Sequence, residues 1–246
     1  MNYVEYGKEN KYDDDIFFQK YSQMSRSQQG LAGAGEWETL RKLLPDFKDK
    51  RVLDLGCGYG WHCIYAMEHG ASSVVGVDIS HKMLEVAKEK THFPQVEYKC
   101  CAIEDVEFPE ESFDVILSSL AFHYVADYEI LVKKIYRILK SGGNLVFTAY
   151  GAQDWYYNEK GEILHFPVDN YYYEGKRTAV FLGEKVTKFH RTLTTYLNTL
   201  LSNGFIINHI VEPQPPENMM DIPGMQDELR RPMMLIVSAN KNCYTT

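Results

Sequence analysis

Three glycines alternate with other residues after a short, largely apolar stretch, and their spacing could build a ligand site. Gly56, Gly58 and Gly60 follow residues 52–55, which predict a buried parallel strand. Glycine fits a sharp bend, and its missing side chain lets a ligand contact the backbone. Residues 61–69 are predicted as a helix, so the free amides of its first turn lie beside the glycines. Strand, glycine bend and helix start together predict a nucleotide-type site.

The glycine spacing does not fit two common nucleotide sites. A dinucleotide fingerprint needs glycine at the first, third and sixth positions, but Trp61 is sixth when the count begins at Gly56. Counting from Gly58 places Cys63 there instead. A phosphate loop also fails, because no Gly-Lys-Ser/Thr sequence ends the turn. Asp54 precedes the glycines, and Asp78 ends the next predicted strand, where a carboxylate can accept hydrogen bonds from both ribose hydroxyls.

Two stretches carry a family resemblance. Asp54 with the alternating glycines, and Val-Val-Gly-Val-Asp-Ile-Ser at residues 74–80, resemble the cofactor motifs of class I S-adenosylmethionine-dependent methyltransferases. The resemblance covers residues 40–150 closely and is to the type 11-like, small-molecule branch. It implies that S-adenosylmethionine is the cofactor and that its sulfonium methyl group moves to a small acceptor by in-line displacement.

The order of predicted elements is typical of the fold that this resemblance implies. Strands and helices alternate from residue 51 to residue 149, which favours a parallel sheet with right-handed crossovers. Other predicted elements are helices at 36–44, 128–140 and 192–203, a glycine turn at 141–143, and strands at 145–149, 205–211 and 233–238. The family implies an α/β, Rossmann-like sheet of seven mostly parallel strands in the order 3-2-1-4-5-7-6. Strand 7 is antiparallel, helices cover both faces, and an insertion follows strand 5.

The resemblance also implies cofactor contacts. Tyr21 or Arg26 is expected near the methionine carboxylate, in a segment that folds across the cofactor. Family members commonly have an aspartate after the third strand that contacts the adenine amino group, but Ala102 stands at that position here. The backbone of Ile103 and Glu104 is expected to replace it, whereas a solvated loop carboxylate is the alternative for Glu104. The implied cofactor residues are Tyr21, Arg26, Asp54, Gly56, Cys57, Gly58, Asp78, Ile79, Met83, Ile103, Glu104, Ser118 and His123.

Two histidines are candidates for a catalytic general base. His123 follows the predicted fourth strand, whose carboxyl end is where ligands bind in open α/β sheets. Its Ala-Phe-His-Tyr-Val segment is similar to Ala-Leu-His-His and Ala-Phe-His-Trp stretches of small-molecule methyltransferases. His190 ends the predicted insertion. Either imidazole could deprotonate an oxygen or carbon nucleophile near neutral pH, whereas a tertiary amine needs no base. A structural histidine is the alternative for His123.

The chain predicts one methyltransferase domain over residues 1–246, with two segments beside its sheet. Residues 1–35 are predicted as an N-terminal lid, or as an amphipathic helix on the sheet edge. Residues 150–190 are predicted as an acceptor-side insertion whose aromatic rings suit a cationic group, with a dimer contact as the alternative. Its candidate acceptor residues are Trp155, Tyr171, Tyr172, Tyr173, His190 and Arg191. His190 and Arg191 could instead cap the following helix.

Composition bounds the remaining functions. No apolar run approaches the roughly 18 residues of a membrane span, and the N-terminus has no export signal, so a cytoplasmic location is expected. A net charge of −8 without an extended basic run argues against nucleic acid as a partner. Five cysteines without Cys-x-x-Cys spacing predict free thiols and no metal site. A small-molecule acceptor is the expected partner, and a homodimer is possible. The alternative function is a sensor that binds S-adenosylmethionine or S-adenosylhomocysteine without turnover.

Overall fold

The computed structural model describes residues 8, 10–150, 156–157, 163–165, 170–222, 225–230 and 232–243. Its strands are β1 (Arg51–Leu55), β2 (Ser73–Asp78), β3 (Val96–Cys100), β4 (Phe113–Ser119), β5 (Leu139–Tyr150), β6 (Tyr156–Tyr157), β7 (Ile163–His165), β8 (Gly175–Phe181), β9 (Glu184–His190), β10 (Phe205–Val211) and β11 (Met234–Lys241). Its α-helices are α1 (Asp15–Ser22), α2 (Ser25–Gln29), α3 (Trp37–Arg41), α4 (Trp61–Glu68), α5 (His81–Lys90), α6 (Tyr128–Ile138) and α7 (Leu193–Ser202). Within the described ranges, none of the helices has the length and apolar character needed to span a membrane.

Seven strands form one sheet in the order β3-β2-β1-β4-β5-β11-β10. Neighbouring strands from β3 to β5 are parallel, whereas β11 is antiparallel to both β5 and β10. Along the chain, β10 and β11 are the sixth and seventh strands of this sheet. The predicted order and the antiparallel seventh strand are therefore confirmed. Two small antiparallel pairs, β6–β7 and β8–β9, lie between β5 and α7 in the sequence.

The sheet is covered on both faces because its strands alternate their side chains between two apolar clusters. Leu53 and Leu55 of β1 pack with Ile116 of β4 and with the apolar side of α6. Val52 of β1 packs on the opposite face with Ala66 of α4. Strands buried on both faces are typical of a parallel sheet between helix layers. The carboxyl ends of β1, β2 and β4 consequently leave a rigid sheet at the same edge.

The join between α6 and β5 differs from the sequence-based prediction. The helix ends at Ile138, and β5 begins at Leu139 rather than after a glycine turn at 141–143. Leu139 is completely buried and pairs with Phe113, after which the register shifts. Gly142 has a φ of +73°, so the glycines form an irregularity within the strand instead of a separate turn.

Two other predicted boundaries shift. Only Trp37–Arg41 of the helix predicted at residues 36–44 is helical, because Leu44 precedes a proline and that position disfavours helical conformation. β11 continues past its predicted end at residue 238, because Asn240 still pairs with β5 and Lys241 with β10.

The described part of the N-terminal segment packs against the β8–β9 hairpin. Phe17 of α1 is completely buried between Ala179 of β8 and Val186 of β9. The Lys20 ammonium donates a 3.0 Å hydrogen bond to the carbonyl of Leu182, in the turn of the hairpin. These two segments, which are distant in the sequence, therefore form one cover beside the carboxyl ends of the strands.

Candidate functional site

The bend after β1 is built from glycines in the left-handed region. Gly56, Gly58 and Gly60 have φ angles of +78°, +51° and +75°. A Cβ atom on Gly56 would lie 2.4 Å from the Cβ atom of Ala121, so the bend packs directly on the chain after β4. A Cβ atom on Gly58 would meet no atom within 4 Å, which leaves its backbone open to a ligand.

Asp78, at the end of β2, is fixed beside this bend. Its Oδ2 accepts a 2.8 Å hydrogen bond from the amide of Gly58, and its Oδ1 accepts a 2.9 Å bond from the amide of Ser80. Burial raises the pKa of the Asp78 carboxyl, although these amides act in the opposite direction. The carboxylate of β2 and the glycine bend of β1 therefore meet, because the two strands are parallel neighbours.

Asp54 lies behind the bend and is almost fully buried. Its side chain is 1% exposed, its Oδ2 accepts a weak 3.5 Å bond from the thiol of Cys63, and its Oδ1 has no hydrogen-bond partner. Burial raises the pKa of this carboxyl to about 7. An unsatisfied buried oxygen is unfavourable, so this position is suited to a ligand or a water molecule that donates to it.

A cavity of about 440 Å³ opens in front of the glycine bend and Asp78. It extends from these residues past the chain that follows β4 to the β8–β9 hairpin and the N-terminal segment. The residues implied by the resemblance that line it are Tyr21, Arg26, Gly56, Gly58, Asp78, Ile79, Met83, Ile103, Glu104 and His123. Residues from five separate stretches of the chain therefore face one space.

Three of the implied residues lie outside this cavity. Asp54 is behind the bend, and Cys57 lines a smaller neighbouring cavity of about 70 Å³. Ser118 is 2% exposed and donates a 2.8 Å hydrogen bond to the carbonyl of Leu55 within the sheet. The next residue, Ser119, faces the cavity instead, because successive side chains of a strand point to opposite faces.

Asp13 attaches the N-terminal segment to the cofactor side of the cavity. Its carboxylate accepts a 2.6 Å hydrogen bond from the hydroxyl of Ser80 and a 3.1 Å bond from the amide of Lys82. These donors form the first turn of α5, directly after Asp78. Asp13 therefore acts as a second cap on α5, supplied by a distant part of the chain.

Arg26 and Tyr21 bring the same segment to the cavity wall. The Arg26 guanidinium donates hydrogen bonds of 2.6 and 2.8 Å to the two carboxylate oxygens of the buried Glu36. The ring of Tyr21 packs edge-on between those of Tyr12 and Tyr59, with centroid distances of 5.2 and 5.9 Å. These contacts fix a cationic group and aromatic edges beside the glycine bend.

His123 lies in the short helical turn Phe122–Tyr124 after β4 and is 1% exposed. Burial, together with the charges of Lys188 and Arg191, lowers the pKa of His123 well below its ordinary value. The imidazole is therefore neutral at pH 7 and carries a nitrogen that can accept a proton. The neighbouring Tyr124 hydroxyl lies 3.3 Å from the hydroxyl of Tyr12.

The structure does not bring His190 and Arg191 to the cavity. His190 is buried with its Nε2 2.8 Å from the carbonyl of Tyr171, and Arg191 donates to the carbonyls of Phe122 and Val125 in the chain after β4. Tyr171, Tyr172 and Tyr173 do not line the cavity either, and Tyr172 is 87% exposed. Trp155 lies outside the described residues.

The hairpin reaches the cavity through other side chains, namely Val180, Phe181, Val186 and Lys188. None of these four residues was predicted from the sequence, and neither were Tyr12 and Asp13. Alternate side chains of a strand share a face, so the sequence could have placed Val186 and Lys188 on the same face of β9 as His190. Nothing in the sequence indicates which face of the hairpin points toward the cavity. Among the described residues, no cluster of three or more His, Cys, Asp or Glu side chains could hold a metal ion.

Comparison with known proteins places this geometry among methyltransferases. The family model for a methyltransferase domain matches residues 53–147. A proposed S-adenosylmethionine-dependent methyltransferase from Listeria monocytogenes is similar to 87% of this chain and 99% of its own, with 54% identity and a TM-score of 0.81. An S-adenosylmethionine-dependent methyltransferase from Mesorhizobium loti is similar to 86% of this chain and 100% of its own, with 39% identity and a TM-score of 0.78. A Haemophilus influenzae protein of unassigned function is 33% identical over 94% of this chain and 96% of its own length.

Proposed function

The chain belongs to the class I S-adenosylmethionine-dependent methyltransferases, and from this premise we propose that it methylates a small-molecule acceptor. A small-molecule acceptor is supported by one observation, namely that a single cavity extends from Gly58 and Asp78 to His123 and Lys188. Its volume of about 440 Å³ is within the usual range of small-molecule sites. α1 and the β8–β9 hairpin both contribute lining residues beyond the cofactor end, which favours a small acceptor.

We assign the cofactor to the end of the cavity at the glycine bend. Asp78 would accept hydrogen bonds from the ribose hydroxyls, and the backbone of Ile103 and Glu104 would contact the adenine. Arg26 and Tyr21 would lie at the methionine part. The cofactor supplies a methyl group on a positively charged sulfur, which is already activated for transfer.

The protein then has mainly to position the acceptor and exclude water. Holding two reactants in line can contribute about 7 to 11 kcal/mol to lowering the barrier. Phe181 and Val186 of the hairpin would supply apolar walls that keep water from the acceptor. His123 is the proposed general base for an oxygen or carbon nucleophile, because its imidazole faces the cavity and is unprotonated at neutral pH. Its lowered pKa makes it a weaker base than an ordinary histidine, so an acidic nucleophile such as a phenol or an activated carbon suits it best. Homodimer formation and a cytoplasmic location remain predictions from the sequence.

The proposal is tested by turnover. Purified protein is incubated with S-adenosylmethionine and separate pools of small acids, phenols, amines, RNA and protein, and S-adenosylhomocysteine is measured by chromatography. Product that depends on one of the small-molecule pools supports the proposal. Product that depends only on RNA or on protein would contradict the small-molecule acceptor while leaving the family assignment unchanged.

A further inference from the structure

The end of the cavity away from the glycine bend has mostly aromatic and aliphatic walls. Tyr124, Phe181 and Val186 line this end, and Tyr12 lies between it and the cofactor end, since it contacts both Tyr124 and Tyr21. Lys188 of β9 enters this apolar surrounding. Its ammonium nitrogen lies 5.9 Å from the ring centroid of Tyr124 and 5.7 Å from that of Phe181. A cation is therefore held over the two rings that form the acceptor end.

Three basic residues of the N-terminal segment also line the cavity. Lys8 pairs with Asp105, and Arg26 pairs with Glu36. Lys11 lies 3.9 Å from Glu184 in the turn region of the hairpin. These pairs place three cations on the N-terminal segment, and Lys188 reaches the cavity from β9.

Lys188 also acts electrostatically on the proposed base. Its positive charge is, after burial, the largest cause of the lowered pKa of His123. Both side chains line the same cavity, so the ammonium and the imidazole share one space. A nucleophile bound at His123 therefore lies within the field of this cation.

The position of Lys188 bears on the charge of the acceptor. Aromatic faces can attract a cationic substrate, but here the protein's own ammonium covers the rings of Tyr124 and Phe181. A cationic acceptor at these rings would be repelled by Lys188, whereas an anionic acceptor group would gain a charge-assisted hydrogen bond. Glu228 also lines the cavity, so a cationic probe is compared with the anionic probes.

We propose that Lys188 binds an anionic group, a carboxylate or a phosphate, on the methyl acceptor. The substrate is then a small organic acid whose apolar part packs on the rings of Tyr124 and Phe181. Its anionic group fixes the orientation in which the nucleophile meets the methyl group and His123. This assignment rests on the proposed function of the cavity and specifies the class of its acceptor.

Binding to the S-adenosylhomocysteine complex tests the assignment without knowledge of the natural acceptor. The protein is saturated with S-adenosylhomocysteine and titrated by calorimetry with benzoate, phenyl phosphate, neutral benzamide and cationic benzylamine. We expect one of the two anions to bind roughly ten- to a hundredfold more tightly than benzamide, as a charge-assisted hydrogen bond predicts. The benzoate and phenyl phosphate arms distinguish a carboxylate from a phosphate.

Variants on the hairpin assign the effect to one side chain. Lys188→Met should remove the preference for the anion, and Lys188→Arg should retain most of it. Lys176→Met is the matched control, because Lys176 is an exposed lysine of β8 that does not line the cavity. Neither lysine is buried in the core, because Lys176 is exposed and Lys188 is partly exposed. We therefore expect melting curves to show that every variant folds.

The assignment is overturned if neither anion binds, if benzamide or benzylamine binds as tightly as the anions, or if Lys188→Met keeps the preference. S-adenosylhomocysteine binding is measured first for each protein. A wild-type protein that does not bind S-adenosylhomocysteine contradicts the proposed function itself. Normal S-adenosylhomocysteine binding without an anion preference contradicts only the acceptor class.

Discussion

The hydroxyl of Ser80 donates a 2.6 Å hydrogen bond to Asp13, and this bond joins the N-terminal segment to the start of α5. The amide of the same Ser80 donates a 2.9 Å bond to Asp78. One residue thus contacts both the aspartate of the N-terminal cover and the carboxylate proposed to bind the ribose. The position of the cover and the position of Asp78 are therefore mechanically coupled.

Replacing Asp13 should weaken cofactor binding although Asp13 is not assigned a cofactor contact. Asp13→Ala leaves the Ser80 hydroxyl and two amides of α5 without their acceptor, which costs about 1 kcal/mol for a typical hydrogen bond. We expect the dissociation constant of S-adenosylhomocysteine, measured by calorimetry, to rise about fivefold. Asp15→Asn is the control, because its carboxylate is exposed and only pairs with Lys82. Equal affinities of wild type and Asp13→Ala would show that the contact is purely structural.

Replacing Asp78 should have a larger effect on the cofactor. Asp78→Ala removes the proposed acceptor of two ribose hydrogen bonds, each worth roughly 1.5 to 3 kcal/mol at most. Asp78 also accepts a hydrogen bond from the Gly58 amide, which helps to hold the glycine bend. Asp78→Asn retains one side-chain oxygen for that bond but loses the carboxylate charge, so it tests the contact with the ribose separately from the support of the bend. Both variants should bind S-adenosylhomocysteine weakly, whereas the exposed helix variant Glu85→Gln should bind normally. Unchanged calorimetric affinity in a folded Asp78→Ala protein would remove Asp78 from the site.

Replacing Asp54 should stabilise the cofactor-free protein in a pH-dependent way. Burial raises the pKa of this carboxyl from 3.8 to about 7, so the folded state binds a proton that the unfolded state releases between these values. The contribution of Asp54 to stability therefore falls as the pH rises from about 4 to 7. Asp54→Asn, which resembles the protonated acid, should be increasingly more stable than wild type over this range, by roughly 4 kcal/mol at most above pH 7.

Thermal unfolding at pH 4 and pH 8 measures this difference. A gap between Asp54→Asn and wild type that is equal at both pH values would contradict the raised pKa.

Replacing His123 should lower the rate with oxygen or carbon acceptors. A positioned general base typically contributes about 10² to 10⁴ in rate, so His123→Gln should reduce kcat by that order while S-adenosylhomocysteine binds normally. The pKa of His123 is held well below its ordinary value of 6.5, so protonation of His123 should not lower the wild-type rate between pH 8 and pH 6.5. An unchanged kcat for a phenolic or carbon acceptor would assign His123 to the wall of the cavity.

The sequence by itself determined the sheet and the location of its ligand edge. Apolar strands that alternate with helices require a parallel sheet buried on both faces, and the glycine bend and Asp78 end two strands that such a sheet makes neighbours. Local patterns suffice here, because a motif at a strand terminus is positioned by the strand itself. The sequence did not determine which serine at the end of β4 faces the cavity. Ser118 was predicted, but Ser119 lines the cavity, and Ser118 donates a hydrogen bond within the sheet.

Only the tertiary structure decided which residues enclose the far end of the site. His190 and Arg191 were the acceptor residues predicted from the sequence, but the register and orientation of the β8–β9 hairpin place Lys188 at the cavity. Asp13 contacts Ser80, which is 67 residues away in the sequence, and no periodic pattern in the sequence predicts this contact. The N-terminal segment is also held by Phe17, which packs on the β8–β9 hairpin far along the chain. Packing between segments that are far apart in sequence is set by the whole fold rather than by local residue patterns.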